Sequence, residues 1–522
     1  MLLAILSGVL TALAFPKFHL AFLAWISLIP LFFALSGKRG GFGRGFVAGL
    51  FFYGVLLYWI PAVPAHYAGM PSWFCLAIYL LLIGFLALYW GLFGLVFRRV
   101  RRGFPVGAFL LAPFFWVGCE YLLTNLFTGF PWGVLGTSQF ENLPFIQIAS
   151  LAGVSGVSFL LILLQATFVL ALTCRRRALF FAALGLLVLA HAWGWYELKT
   201  ASFDGPAKIR AAVIQGNVSS DIYWDFTPPN VVRKLFDEHM SLTRQAAAAG
   251  AGLVIWPEFT VPLCFSCPEE NYRVLSSEIK EYVKASGLTL LVGTNETTGP
   301  GLARTGTGRT GPPGHLLYHN AATALHADGP PSLYFKMHLV PFGEYTPYKK
   351  IFFFIERLTH AIGEITPGTE PVLHEHAGFK FGSPICYEVI FPALVRTFVR
   401  KGADFLVTIT NDGWYGTSSA PYQHWAQAVL RAVENRRYLL RAATTGISGF
   451  IDPFGRVLAR SQIMSQAVLT ASIAPSNRQS LFTRTGDVLP LAGLTLAALS
   501  LILALLRRGK DNHNHERHRP LI

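Results

Sequence analysis

Charge is what this chain has least of. Asp, Glu, Lys and Arg make up 14% of its 522 residues, while 53% are hydrophobic. A soluble domain usually carries about 25% charged residues. Mean hydropathy is +0.45. The deficit is uneven: the first 196 residues are mostly apolar runs, and charges cluster between roughly 197 and 486. That excludes a wholly soluble globule and indicates an integral membrane protein with one large water-exposed domain. Cysteine is scarce too, and six in the whole chain exclude a disulfide scaffold. Cys75, Cys119 and Cys174 fall in or beside apolar runs, where an inert buried thiol is the default. Cys264 and Cys267 frame a Cys-Phe-Ser-Cys string in the polar block. Zinc would need a second pair at similar spacing, and the chain has none. A local disulfide and two free thiols both remain open.

Net charge is +15 and the pI about 9.6, which invites a nucleic-acid reading. The placement of the basic residues answers it. Lys38, Arg39 and Arg44 share one short loop, Arg98, Arg99, Arg101 and Arg102 another, and Arg175 to Arg177 a third. Arg507, Arg508 and Lys510 follow the last apolar run. These are juxtamembrane clusters of the kind the positive-inside rule describes, not a nucleic-acid patch. The tail histidines His513, His515 and His518 read as part of a solvated basic tail.

Candidate spans run roughly 1–15, 19–36, 45–61, 72–97, 104–124, 145–173, 178–196 and 487–506. Most reach the roughly 20 residues that cross a hydrocarbon core. A cleaved signal peptide at 1–15 is disfavoured, because a basic leader is missing and another apolar run follows at once. The first two segments either both cross or form a shallow re-entrant hairpin. Loops around 62–71 and 125–144 contain no Lys or Arg, whereas the three basic loops carry ten, against the lone exception Lys17. The basic loops and tail are therefore expected in the cytoplasm, and the block 197–486 on the opposite, extracytoplasmic face. The domain expectation is a membrane domain over 1–196 with seven helices, a catalytic block over 197–486, a last helix over 487–506 and a basic tail over 507–522.

Within the block, 209–217 reads as a buried strand and 230–249 as a helix ending at Gly250. Leu253 to Trp256 is a strand stopped by Pro257-Glu258. A helix is expected over 271–286, strands over 288–292, 321–326, 331–337, 379–385 and 404–409, and helices near 391–401 and 421–437. Strands near 446–451 and 467–473 close the block. Residues 300–314 are rich in Gly, Pro and Thr, a loop or insert. This alternation predicts an α/β layered domain with helices covering sheets.

Three strings carry chemistry. Gly382-Ser383-Pro384-Ile385-Cys386-Tyr387-Glu388 ends an apolar run at a thiol; Ile255-Trp256-Pro257-Glu258 ends a strand at a carboxylate; Tyr334-Phe335-Lys336-Met337-His338-Leu339-Val340-Pro341-Phe342-Gly343-Glu344 carries an ammonium. A thiol of ordinary pKa is mostly protonated near neutrality and attacks poorly. Cys386 therefore needs a base, and Glu258, behind a proline that fixes its backbone, suits the part. The Lys336 ammonium, with the backbone N–H after Cys386, can stabilise a tetrahedral oxyanion. Glu344, Tyr387 and Glu388 would support them.

These strings resemble the Glu-Lys-Cys triad of the nitrilase, or carbon–nitrogen hydrolase, superfamily. The later segments Thr410-Asn411-Asp412-Gly413-Trp414-Tyr415-Gly416 and Arg431-Ala432-Val433-Glu434-Asn435-Arg436-Arg437, then Arg441 to Ser448, are similar to that family's as well. The rest of the chain resembles one branch, the bacterial apolipoprotein N-acyltransferases. Seven spans precede the block and one follows it; the outer loop Phe130 to Gln139 and the run Gly153 to Phe159 also match. The resemblance implies a polytopic α-helical bundle of about eight transmembrane helices plus a nitrilase-like αββα sandwich. It implies Glu258 as base, Lys336 as oxyanion partner and Cys386 as nucleophile, with Glu344, Tyr387, Glu388 and Trp224 in support, and no metal or cofactor. The reaction implied moves an acyl chain from a membrane phospholipid, through a Cys386 thioester, to the α-amine of the diacylglyceryl-cysteine of an apolipoprotein. That is the last step of lipoprotein maturation, performed by a monomer in the bacterial inner membrane with its catalytic block on the periplasmic side. The insert 300–314 and the Cys264/Cys267 pair are not part of the family pattern.

Phe352-Phe353-Phe354-Ile355 is too apolar for an ordinary surface loop; it either gates acyl-chain entry at the lipid surface or packs in the core. Two rivals share the composition. A membrane-tethered amidase would use the same triad with water as acceptor, but needs one anchor, not a bundle. A transporter with an outer receptor domain would need ionisable groups facing a pathway, and only Glu120 and His191 qualify.

Overall fold

The structure, a computed structural model, describes residues 1–37, 40–200, 208–219, 228–267, 270–299, 316–348 and 365–517, with backbone alone for 270–272 and 508–517. Two compact units emerge. One comprises Met1–Ala65, Gly69–Thr200 and Thr485–Ile522; the other comprises His66–Ala68 and Ala201–Arg484.

The first unit is helical. Among the described residues five helices are long and apolar enough to cross a membrane: Ser72–Gly103, Pro105–Asn125, Ala149–Cys174, Arg177–Thr200 and Val488–Arg507. Three shorter apolar helical stretches, Leu2–Leu13, Ala21–Ser36 and Gly41–Leu56, precede them. The run expected as one span over 145–173 is instead Leu143–Ile146 followed by Ala149–Cys174, and the second helix is kinked where Gly153 takes φ +67°. Close helix contact rests on missing side chains: a Cβ at Gly45 would run into the Trp90 carbonyl, and one at Gly94 into that of Gly41. Small residues let apolar helices approach closely enough for dispersion to hold them. Glu120 and His191 serve local bonding. Glu120 Oε1 accepts from Trp116 Nε1 (2.9 Å), Leu135 N (2.8 Å) and Ser158 Oγ (3.2 Å). His191 Nδ1 bonds the Leu187 carbonyl at 3.0 Å and its ring stacks on Phe145.

The second unit is a sandwich of two six-stranded sheets. The strands are β1 Ile209–Gln215, β2 Leu253–Ile255, β3 Thr289–Thr298, β4 Leu317–Leu325, β5 Ser332–Phe335 and β6 Leu373–His376. There follow β7 Phe379–Gly382, β8 Phe405–Thr410, β9 Leu439–Ala443, β10 Gly449–Ile451, β11 Val457–Arg460 and β12 Ala467–Ile473. One sheet runs β12-β1-β2-β3-β4-β5, the other β11-β10-β9-β8-β7-β6. In each, three parallel strands (β1-β2-β3 and β7-β8-β9) are flanked by antiparallel ones. Parallel neighbours need a crossover, supplied by helices α1 Pro229–Ala248, α2 Glu270–Ser286, α3 Pro392–Arg400 and α4 Ala420–Asn435.

Helix α1 begins with Pro229 in its first turn, where the missing N–H costs nothing. Its buried stripe, Phe236, Met240, Leu242 and Ala246, meets Ala212, Ile214, Val254, Leu290 and Val292 of the sheet, with Leu275, Ile279 and Val283 from α2. The sheets are joined near their ends by Ser448 Oγ donating to Gln215 Oε1 (2.6 Å) and Asn217 N donating to the Thr444 carbonyl (3.0 Å). Three strands lie where none was expected: β6, β9 and β11. Strand β3 continues through Thr298 instead of stopping at 292, because its Glu296 is buried and bonded. Phe265 N (3.1 Å), Ser266 N (3.0 Å) and Ser266 Oγ (2.6 Å) donate to that carboxylate. The loop so held contains Cys264 and Cys267, which are joined by a disulfide.

Candidate active site

Each chemical side chain follows a strand. Glu258 lies three residues past β2, Lys336 directly follows β5, and Cys386 comes after β7, where Ile385 still bridges to Ile409. The carboxyl ends of parallel strands are where open α/β sheets present ligand groups. All three residues are buried.

Lys336 is the hub. Its Nζ donates to Glu258 Oε1 (3.2 Å) and to Glu344 Oε1 (2.8 Å). Asn320, on β4, donates from Nδ2 to the same two oxygens at 2.7 and 2.8 Å. Two backbone amides complete the arrangement: Asn411 N to Glu258 Oε2 (2.8 Å) and Val340 N to Glu344 Oε2 (2.8 Å). A buried charge persists only when paired and fully bonded, and here one ammonium serves two carboxylates. Burial works against the Lys336 charge, but Glu258 and Glu344 outweigh it and hold the ammonium protonated well above its ordinary range.

Glu388 ties the segments together. Its Oε1 accepts from Tyr334 Oη (2.7 Å), Met337 N (2.6 Å) and His338 N (3.0 Å). Its Oε2 accepts from Ile385 N (2.7 Å). One carboxylate thus fixes the chain just after Lys336 and just before Cys386. Burial pushes its carboxyl up to about 7, opposed by those same donors.

The Cys386 thiol is held above its ordinary pKa. Burial raises its pKa most, the Glu258 and Asp412 charges raise it further, and Lys336 and a hydrogen bond with Thr410 oppose them. A thiol so held must pass its proton to a base as it attacks. The backbone is set for this. Cys386 has φ +50°, Phe259 next to Glu258 has +51°, and Phe342 near Glu344 has +61°. Left-handed backbone at a non-glycine residue costs roughly 1–3 kcal/mol and persists only where the surroundings impose it. Here such residues sit in all three chemical segments.

Glu258, Lys336 and Glu344 thus share one hydrogen-bonded cluster, and Glu388 ties the segments that carry Lys336 and Cys386 beside it. Tyr387 is buried beside them, its ring against Phe391 and His338. Trp224, the insert 300–314 and Phe352 to Ile355 lie outside the described residues. Asn320 and the Asn411 amide were not anticipated. Asn320 lay one residue outside the strand expected over 321–326, whereas β4 begins at Leu317 and places it in mid-strand.

A two-sheet sandwich with a buried carboxylate, ammonium and thiol at its strand ends is the arrangement expected of the carbon–nitrogen hydrolase class, and the model of that family, "Carbon-nitrogen hydrolase", matches residues 210–481. The "Apolipoprotein N-acyltransferase N-terminal domain" matches residues 7–167. An apolipoprotein N-acyltransferase of Geobacter metallireducens is 37% identical over 527 residues, covering 98% of this chain and 96% of that one. Those of Chlorobaculum tepidum (97% and 96% covered) and Methylococcus capsulatus (100% and 99% covered) are each 32% identical. Among solved structures, an amidase of the nitrilase superfamily from Nesterenkonia AN1 is similar to 54% of this chain and 92% of its own, with 19% identity and a TM-score of 0.37. The chain belongs to the apolipoprotein N-acyltransferase family.

Proposed function

We propose that this acyltransferase works by a ping-pong mechanism through a Cys386 thioester. In the first half, Glu258 takes the thiol proton as Sγ attacks an ester carbonyl of a membrane phospholipid. The Lys336 ammonium, with the N–H of Tyr387, stabilises the tetrahedral oxyanion. Collapse breaks the ester C–O bond; the leaving alkoxide takes the proton from Glu258 and departs as a lysophospholipid. In the second half, the neutral α-amine of a diacylglyceryl-cysteine on an apolipoprotein attacks the thioester carbon. Glu258 accepts a proton from the amine, the C–S bond breaks, and the thiol is restored as the amide forms.

The observation that carries this reading is the shared cluster: Lys336 bonded to Glu258 and Glu344 in a buried site beside the equally buried Cys386 thiol. A protonated resting thiol resists stray oxidation outside the cytoplasm yet is activated at the moment of attack. Glu344 holds Lys336 charged, and Glu388 and Tyr387 shape the thiol's surroundings; Trp224 is assigned to substrate binding. We infer a bacterial inner-membrane location with the catalytic block on the periplasmic side, which the distribution of basic loops supports, and action as a monomer.

Intact-protein mass spectrometry after incubation with phospholipid tests the reading. The expected result is a fatty-acyl mass on Cys386, absent in Cys386→Ser, discharged as an N-acyl product when a diacylglyceryl-cysteine peptide is added. Discharge as free fatty acid alone, at the same rate with and without peptide, would identify a hydrolase instead.

A further inference from the structure

Behind the nucleophile lies a second buried cluster that the mechanism above does not use. His424, on α4, has Nε2 3.2 Å from the Cys386 carbonyl oxygen. Its Nδ1 lies 2.9 Å from Asp412 Oδ1 and 3.0 Å from Arg441 Nη2. Arg441 Nη2 in turn donates to Asp412 Oδ2 at 2.8 Å. All three side chains are fully buried. We propose that His424 is a positioning residue for the acyl transfer: its Nε2–H grips the Cys386 carbonyl and holds the left-handed backbone from which the thiol is presented.

The location of the proton follows from the neighbours. A neutral ring protonated only on Nδ1 would aim a bare Nε2 lone pair at a carbonyl oxygen, two acceptors facing each other. The two remaining forms both keep a proton on Nε2. In the imidazolium, Nδ1–H donates to Asp412 Oδ1; in the other neutral tautomer, Nδ1 accepts from Arg441 Nη2 at 3.0 Å, which offsets the approach of its lone pair to Asp412 Oδ1 at 2.9 Å. The grip on Cys386 therefore survives either charge state of the ring. Only one side chain reaches the carbonyl of the residue whose φ is +50°, among the hydrogen bonds made by described residues. Asp412 also accepts from Thr410 Oγ1 at 3.1 Å, so the carboxylate that holds His424 is itself fixed by the end of β8. Burial and the Arg441 charge push the His424 pKa down, with Asp412 opposing.

A merely structural role makes a different prediction from a positioning one. Asn in place of His424 reaches the Nδ1 position, keeping a polar partner for Asp412 and Arg441 but losing the carbonyl. Gln reaches the Nε2 position and keeps a donor there. The inference rests on Cys386 as nucleophile, so two readouts are needed: single-turnover thioester formation from phospholipid in mixed micelles, and alkylation of Cys386 by iodoacetamide. We expect His424→Gln to keep both rates within about five-fold of wild type, and His424→Asn to lose about 100-fold, the scale of an ångström's misplacement. The acyl-donor KM should not move in either, and melting should separate a lost grip from a lost fold. Equal rates in folded Asn and Gln variants, or a larger loss in Gln, would overturn the proposal. Should the Asn variant not accumulate, His424→Ser takes its place in the same comparison. If wild type forms no thioester, the proposed function fails, while the alkylation comparison still decides the role of His424.

Discussion

Asn320 holds two carboxylates with one amide, and its single nitrogen meets the same oxygens as Lys336. Replacing it by Leu keeps the branched shape and removes both bonds. Each carboxylate then depends more heavily on Lys336, and a hydrogen bond to a buried charged group is worth roughly 1.5–3 kcal/mol. We expect Asn320→Leu to slow thioester formation by about 100-fold, consistent with that range, while the protein still folds. A rate within a few-fold of wild type would remove Asn320 from the machinery. At this scale much of the site was legible in the sequence. Glu258, Lys336 and Cys386 each stand where an apolar strand stops, and a polar residue at such a break is conspicuous. Asn320 stands one residue before the strand expected over 321–326, where an amide reads as the end of a loop; the strand in fact starts at Leu317. Only the fold brings its amide to Glu258 and Glu344, beside the Lys336 ammonium.

At the scale of elements, Glu258, the proposed base, is held by a strand that touches it from behind. Glu258 Cα would lie 2.7 Å from a Cβ added at Gly293, and the Pro257 carbonyl oxygen 2.8 Å. Gly293 sits inside β3, paired with Ala322 of β4, so its backbone cannot retreat without breaking the ladder. Gly293→Ala must therefore push the Pro257-Glu258 segment. Overpacking of this kind costs about 1–3 kcal/mol, and the displacement falls on the base. The expected outcome is a lowered melting temperature together with a loss of thioester formation larger than the unfolded fraction explains. A fall in stability with the acylation rate per folded molecule unchanged would show that Glu258 is placed by other contacts. The same element shows where sequence patterning fails. Strand β9 went unanticipated because Arg441 interrupts Leu439-Leu440 and Ala442-Ala443, and a central arginine reads as a surface residue. In the fold it is fully buried and bonded to Asp412. Strand β3 was cut short for a related reason, since Asn295-Glu296 looks like a polar end until the Phe265 and Ser266 amides are seen to meet it.

Across the whole molecule, the two units differ in chemistry: one is built of apolar helices, and the other carries the buried histidines His239, His319, His374 and His424. Acid sensitivity should therefore originate in the sandwich. His239 is buried with Nδ1 on the Leu235 carbonyl at 2.8 Å, and burial lowers its pKa to about 4. His374 bonds Ser332 and Ser383 through its two nitrogens at 2.7 and 2.8 Å, and burial lowers its pKa to about 3. Both rings are neutral in the folded protein, whereas in the unfolded chain they titrate near 6.5. Below that pH the unfolded state takes up protons that the folded state refuses, so stability falls as the pH drops from 6.5 through about 4 for His239 and about 3 for His374. The slope is roughly 1.4 kcal/mol per pH unit for each histidine within its window. Urea unfolding of the sandwich, followed at pH 7.5 and at pH 5, should show wild type losing stability faster than His239→Gln or His374→Asn. The variants should begin less stable at pH 7.5 and converge on wild type as the pH falls, because each has shed one of the groups that must stay uncharged. Parallel losses in all three proteins would place the acid-sensitive groups elsewhere.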